Sequence, residues 1–107
     1  MWRRSRAPSE AVAFMVVGVC TLDLHIPGCT SLKEKRLVLR SLIARLRQRH
    51  NLAVSEADHH DLWQRASLCL VTVSNDSKIV HSVLDAACRF VDRDPRLELL
   101  DIAIELQ

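Results

Sequence analysis

Between residues 15 and 26 the chain alternates, with Cys20, Leu22, Leu24 and Ile26 on one side and Val19, Thr21, Asp23 and His25 on the other. A period of two is that of a half-buried strand, and Pro27 and Gly28 end it. Ser31 and Glu34 then stand three apart as a capping box, which starts a helix predicted to reach about Arg49. Its apolar stripe is Leu32, Leu39, Leu42, Ile43 and Leu46. Leu52 and Val54 open a second, weaker strand through about Ala57, and residues 58–66 read as a polar connection. Residues 67–74 are apolar nearly throughout, the pattern of a central strand. Ser74 or Asp76 can cap a second helix whose stripe is Ile79, Val80, Val83, Leu84, Ala87 and Val91. Asp94-Pro95 closes it. Residues 97–106 alternate again, with Leu100, Ile102, Ile104 and Leu106 against Asp101 and Glu105.

Two helices, each apolar on one stripe, must share one face of the sheet. The order β-α-β-β-α-β therefore predicts an α+β fold, a ferredoxin-like plait with a four-stranded antiparallel sheet and two helices on one face. The other face is left uncovered, and we place Val17, Val19, Val71, Val73 and Leu99 there. Such an apolar patch suits a homodimer interface. A length of 107 residues suits one domain, assigned to residues 14–107. Residues 1–13 are read as a disordered extension. Arg3, Arg4 and Arg6 before the apolar run 11–20 imitate a secretory signal, but that run continues as a strand. It is also too short to span a membrane.

Four cysteines, Cys20, Cys29, Cys69 and Cys88, are too widely spaced for a disulfide framework and include no C-x-x-C pair. Cys20, Cys69 and Cys88 fall in apolar patterns and are expected to be buried thiols, with Cys29 left in a loop. A reducing, cytoplasmic setting follows. The run Asp58, His59, His60, Asp61 holds metal-ligand types, but adjacent histidines outside a helix diverge, so no metal site is expected. There is no G-x-S-x-G, no phosphate-binding glycine loop and no tyrosine, so neither an enzyme nor a cofactor is expected. Trp63 is expected to pack at the sheet edge. Among nucleic-acid binders of this topology, an RNA-recognition motif needs aromatics on its central strands and residues 67–74 have none; a KH domain needs a G-x-x-G loop, also absent.

Charge adds one asymmetry. Residues 1–50 carry ten Lys and Arg against three acidic residues, a balance of +7, whereas residues 51–107 carry five against ten, a balance of −5. Lys33, Arg36, Arg40 and Arg47 share one solvent side of the first long helix, and Lys35, Arg45 and Arg49 are placed beside its apolar stripe. Such a face either keeps the helix solvated or lies along a phosphate backbone.

Two segments carry a resemblance. His25-Ile26-Pro27-Gly28-Cys29-Thr30-Ser31-Leu32-Lys33-Glu34-Lys35-Arg36, followed by Glu56-Ala57-Asp58-His59-His60-Asp61-Leu62-Trp63-Gln64-Arg65-Ala66, resembles the bacterial YlxP-like family over residues 15–106. The resemblance implies a ferredoxin-like fold and genes encoded beside translation initiation factor 2 and ribosome-binding factor A. It supplies no catalytic residues. The expectation is therefore a non-enzymatic accessory protein of small-subunit maturation or translation, binding RNA or the ribosome through Lys33, Lys35, Arg36, Arg40 and Arg47. The alternative is a dimeric regulatory or interaction module that uses the open sheet face and no nucleic acid.

Overall fold

The computed structural model describes residues 1–4 and 10–107. A single helical turn, α1 (Glu10–Ala13), precedes β1 (Val16–His25), α2 (Leu32–Arg49), β2 (Ala53–Asp58), β3 (Arg65–Ser74), α3 (Ser77–Asp92) and β4 (Glu98–Leu106). The 1–13 extension of the sequence reading falls partly on residues 5–9, which lie outside the described residues.

The four strands form one antiparallel sheet in the order β2-β3-β1-β4. With α2 and α3 packed against it, this is the ferredoxin-like plait. Register explains the alternation. Cys20, Leu22 and Leu24 of β1 face Leu70, Leu68 and Ala66 of β3, and all six are fully buried under the helices. Val17 and Val19 pair with Val73 and Val71 on the opposite, open face. Leu99 is a correction: a bulge between Asp23 and Leu24 shifts the β1–β4 register, so Leu99 pairs with Leu24 and packs on the core.

Helix α3 lies over β1 and β3, and α2 lies over β2. Helix cover over β4 is therefore partial, and Ile102, Ile104 and Leu106, on the helix side of this edge strand, stay partly exposed. The seat of α3 on β1 depends on Gly18. A Cβ at this position would fall inside the Val80 Cγ1 methyl and 2.9 Å from Leu84 Cδ1. Gly18→Ala is therefore expected to overpack the α3–β1 contact and cost about 1–3 kcal/mol in urea denaturation. A neutral result would mean that α3 can shift away from the sheet freely.

All four cysteines are free thiols. Two differ from their expected places. Cys29 is buried although it lies in a loop, and Cys69 is partly exposed because it sits on the open face opposite Thr21. Cys20 and Cys88 meet across the α3–β1 contact with their sulfurs 3.7 Å apart.

Candidate nucleic-acid interface

Helix α2 begins where the capping box predicts, with a variation. Ser31 Oγ accepts the backbone N–H of Glu34 at 3.1 Å, while the Glu34 carboxylate accepts from the Thr30 N–H at 2.7 Å and the Thr30 hydroxyl at 2.9 Å. These bonds hold the Glu34 carboxyl below its ordinary pKa, the backbone N–H contributing most. The helix buries Lys35, Leu39, Leu42 and Leu46. These positions are separated by four, three and four residues, so they form one stripe.

Lys35 is therefore the main correction to the expected RNA-binding set. Its side chain is 1% exposed. Its ammonium donates to the carbonyls of His59 at 2.6 Å, Arg65 at 3.1 Å and His60 at 3.4 Å, and lies 3.5 Å from Glu56 Oε1. That carboxylate oxygen is itself buried, in charge contact with Lys35 but without a hydrogen bond. A cation enclosed in this way cannot reach a phosphate. The sequence signal was present, since Lys35 stands four residues before Leu39 on the buried stripe.

The same clasp gives the second motif its role. Gln64 Nε2 donates to the carbonyls of Cys29 at 3.2 Å and Pro27 at 3.3 Å, and the Gln64 carbonyl accepts the Ile26 N–H at 2.9 Å. The β1–α2 and β2–β3 loops are thereby stapled together, which is what buries Cys29. Burial raises its thiol pKa. His59 takes a left-handed backbone (φ 63°), held by Lys35 on its carbonyl and by Asp58 Oδ1 on its N–H at 2.8 Å. On the open face beside this loop, Arg65 donates to Asp23 at 2.8 Å, His59 Nε2 lies 3.8 Å from the same carboxylate, and His25 pairs with Glu98 at 3.5 Å. No group of three His, Cys, Asp or Glu side chains among the described residues is placed to hold a metal ion. Trp63, expected to pack, is 54% exposed at the tip of the loop. The staple fixes the backbone on both sides of it and leaves its indole outside.

The remaining cations of α2 are a different matter. Lys33, Arg36, Arg40, Arg45, Arg47 and Arg49 are all exposed, and none makes an ion pair among the described residues. Lys33, Arg36, Arg40 and Arg47 fall within about 60° of one another around the helix and span about 21 Å along it. Between α2 and the edge strand β2 runs a groove of about 460 Å³, with Arg36, Arg40 and Arg47 on one wall and Val54, Ser55 and Glu56 on the other. Ile43 and Ala44 also line it. Arg47 Nη2 donates to the Val54 carbonyl at 2.9 Å, which ties the guanidinium to β2 and leaves its other N–H groups for a ligand. Glu56, the one acid lining the groove among the described residues, is held against Lys35.

Residues 17–104 match the family described as "Protein of unknown function (DUF503)". The chain belongs to this family. Over 83 residues it is 31% identical to the Uncharacterized protein YlxP of Bacillus subtilis (strain 168), a match covering 78% of this chain and 90% of that protein. The family assignment agrees with the two motif segments, whose residues build the loop staple. No helix among the described residues is long and apolar enough to cross a membrane.

Proposed function

We propose that the chain is a non-enzymatic accessory protein of the cytoplasm that binds RNA or the ribosome, in small-subunit maturation or translation, through the groove between α2 and β2. One observation carries this reading: six exposed cations on α2 have no acidic partner among the described residues, and three of them converge on one groove. A solvated helix typically interleaves charges of both signs. The RNA contacts are assigned to Lys33, Arg36, Arg40 and Arg47, without Lys35. The ribosomal step rests on the gene neighbourhood that the family resemblance implies. Tagged protein is expected to sediment with small ribosomal subunits from lysate at low salt and to leave them as salt is raised, because phosphate contacts release counterions. Protein that stays at the top of the gradient at every salt concentration would contradict the ribosomal role.

A second reading is favoured by the open face, where Val73 is 49% exposed beside the half-buried Val17, Val19 and Val71. Under it the protein is a dimer joined through this face. Analytical ultracentrifugation at micromolar concentration is then expected to show a dimer that Val71→Lys dissociates without changing the circular dichroism spectrum. A monodisperse wild-type monomer would dismiss this reading.

A further inference from the structure

A second basic cleft, of about 480 Å³, lies between the C-terminal ends of α2 and α3 and is lined by Arg49, His50, Ala86, Arg89, Phe90 and Arg93. Its chemistry differs from that of the groove. The Arg49 guanidinium carbon stands 5.1 Å from the centroid of the Phe90 ring, and His50 meets the same ring edge-on at 5.9 Å and 64°. Two planar groups are thus gathered around one half-buried phenylalanine. Arg49, Arg89 and Arg93 make no ion pair and no side-chain hydrogen bond among the described residues. Asp85 and Asp92 stand four residues before and three after Arg89, yet neither pairs with it.

Cations at helix C-termini often serve only to complement the helix dipole. Here backbone caps already engage the last turns: the His50 N–H donates to the Leu46 carbonyl at 3.0 Å, and the Arg93 N–H to the Arg89 carbonyl at 3.2 Å. Other carbonyls of these turns stay open among the described residues, so the guanidiniums complement the dipole and still present N–H groups to a ligand. His50 bears the consequence of the crowding, since burial and the neighbouring Arg49 lower its pKa and its Nε2 is buried without a partner. An anion among the three arginines would offset their mutual repulsion. The cleft is of the size of a small-ligand site, and planar side chains beside phosphate-binding arginines are the groups that recognise a nucleotide.

We infer that this cleft is a nucleotide pocket, with the phosphate held by Arg89 and Arg93 and the base stacked on the platform of Phe90 and Arg49. Resting on the RNA reading, the nucleotide is an unstacked one of single-stranded RNA. The two sites flank the end of α2 on opposite sides. Arg47 lines the groove and Arg49 the cleft, two residues and about 200° apart on the same helix, so a strand occupying both would have to cross the helix end.

Two measurements on the full chain test this. In the first, adenosine monophosphate is titrated while the ring protons of His50 are followed by NMR. The resonances are expected to move in the wild type and to stay in place in the Arg89→Gln/Arg93→Gln variant, whose substitutions are both on the surface. In the second, fluorescence anisotropy at 0.1 M salt compares a ten-nucleotide oligoadenylate with a paired RNA duplex. Phe90→Leu and the double arginine variant are each expected to weaken oligoadenylate binding by about fivefold or more and to leave duplex binding within twofold. Still His50 resonances in the wild type, or equal losses for both RNAs, would overturn the pocket. Loss of binding in an Arg36→Gln/Arg40→Gln variant but not in the cleft variants would overturn the pocket and leave the groove standing. Shifted His50 resonances with no RNA bound by the wild type would keep the pocket and remove the RNA reading.

Discussion

Lys35→Met is expected to destabilise the protein by about 3–5 kcal/mol, because it removes one member of a buried charged cluster and leaves the rest in place. The Lys35 ammonium satisfies three loop carbonyls, those of His59, His60 and Arg65, and stands against the buried Oε1 of the half-buried Glu56. Methionine has a similar length and fits an apolar stripe beside Leu39, but it donates nothing. The buried Oε1 of Glu56 would then lack its cation, and the β2–β3 loop would lose its anchor. A small domain has a total stability of only about 5–15 kcal/mol, so the loss should be plain as a lower midpoint in urea. Adding Glu56→Gln should restore part of it by removing the unpaired charge, leaving a deficit of about 1–3 kcal/mol from the carbonyls. If Lys35→Met unfolds within 1 kcal/mol of the parent, water replaces the ammonium and the clasp is not what holds the two loops together.

The strands and the two long helices were legible because their signals are local. Period-two alternation placed β1 and β4, the capping box set Ser31 as the N-cap of α2, and the stripe from Ile79 to Val91 marked α3. The misplacements come from contacts between distant segments. Trp63 and Cys29 lie in loops whose burial is decided by Gln64 reaching across to the Pro27 and Cys29 carbonyls, 37 and 35 residues away. Leu99 changed face because a bulge, which no alternation pattern reports, moved the β4 register. Lys35 is different: its position on the helical stripe marked it as buried, and only its residue type suggested solvent. The cleft around Phe90 was not legible at all, since it needs the ends of two helices that are 40 residues apart in sequence to meet.

The central claim is that the uncompensated cations of α2 meet RNA phosphates, and its most direct test is the salt dependence of RNA binding. In Lys33→Gln/Arg36→Gln/Arg40→Gln, three exposed cations are replaced by residues of similar helix propensity, and none of the three takes part in the Lys35 clasp or the capping box. The thermal melt should therefore match the parent, so weaker binding could not be assigned to unfolding. Each phosphate contact contributes about 0.7–0.9 to the slope of log affinity against log salt, so three lost contacts should lower it by about 2–3 and weaken binding about a hundredfold at 0.1 M salt. The measurement is binding of the parent and the triple variant to ribosomal RNA at several salt concentrations. The account predicts the shallower slope and the weaker affinity together. Equal affinity and equal slope for the two proteins would contradict it and leave α2 as a solvated helix.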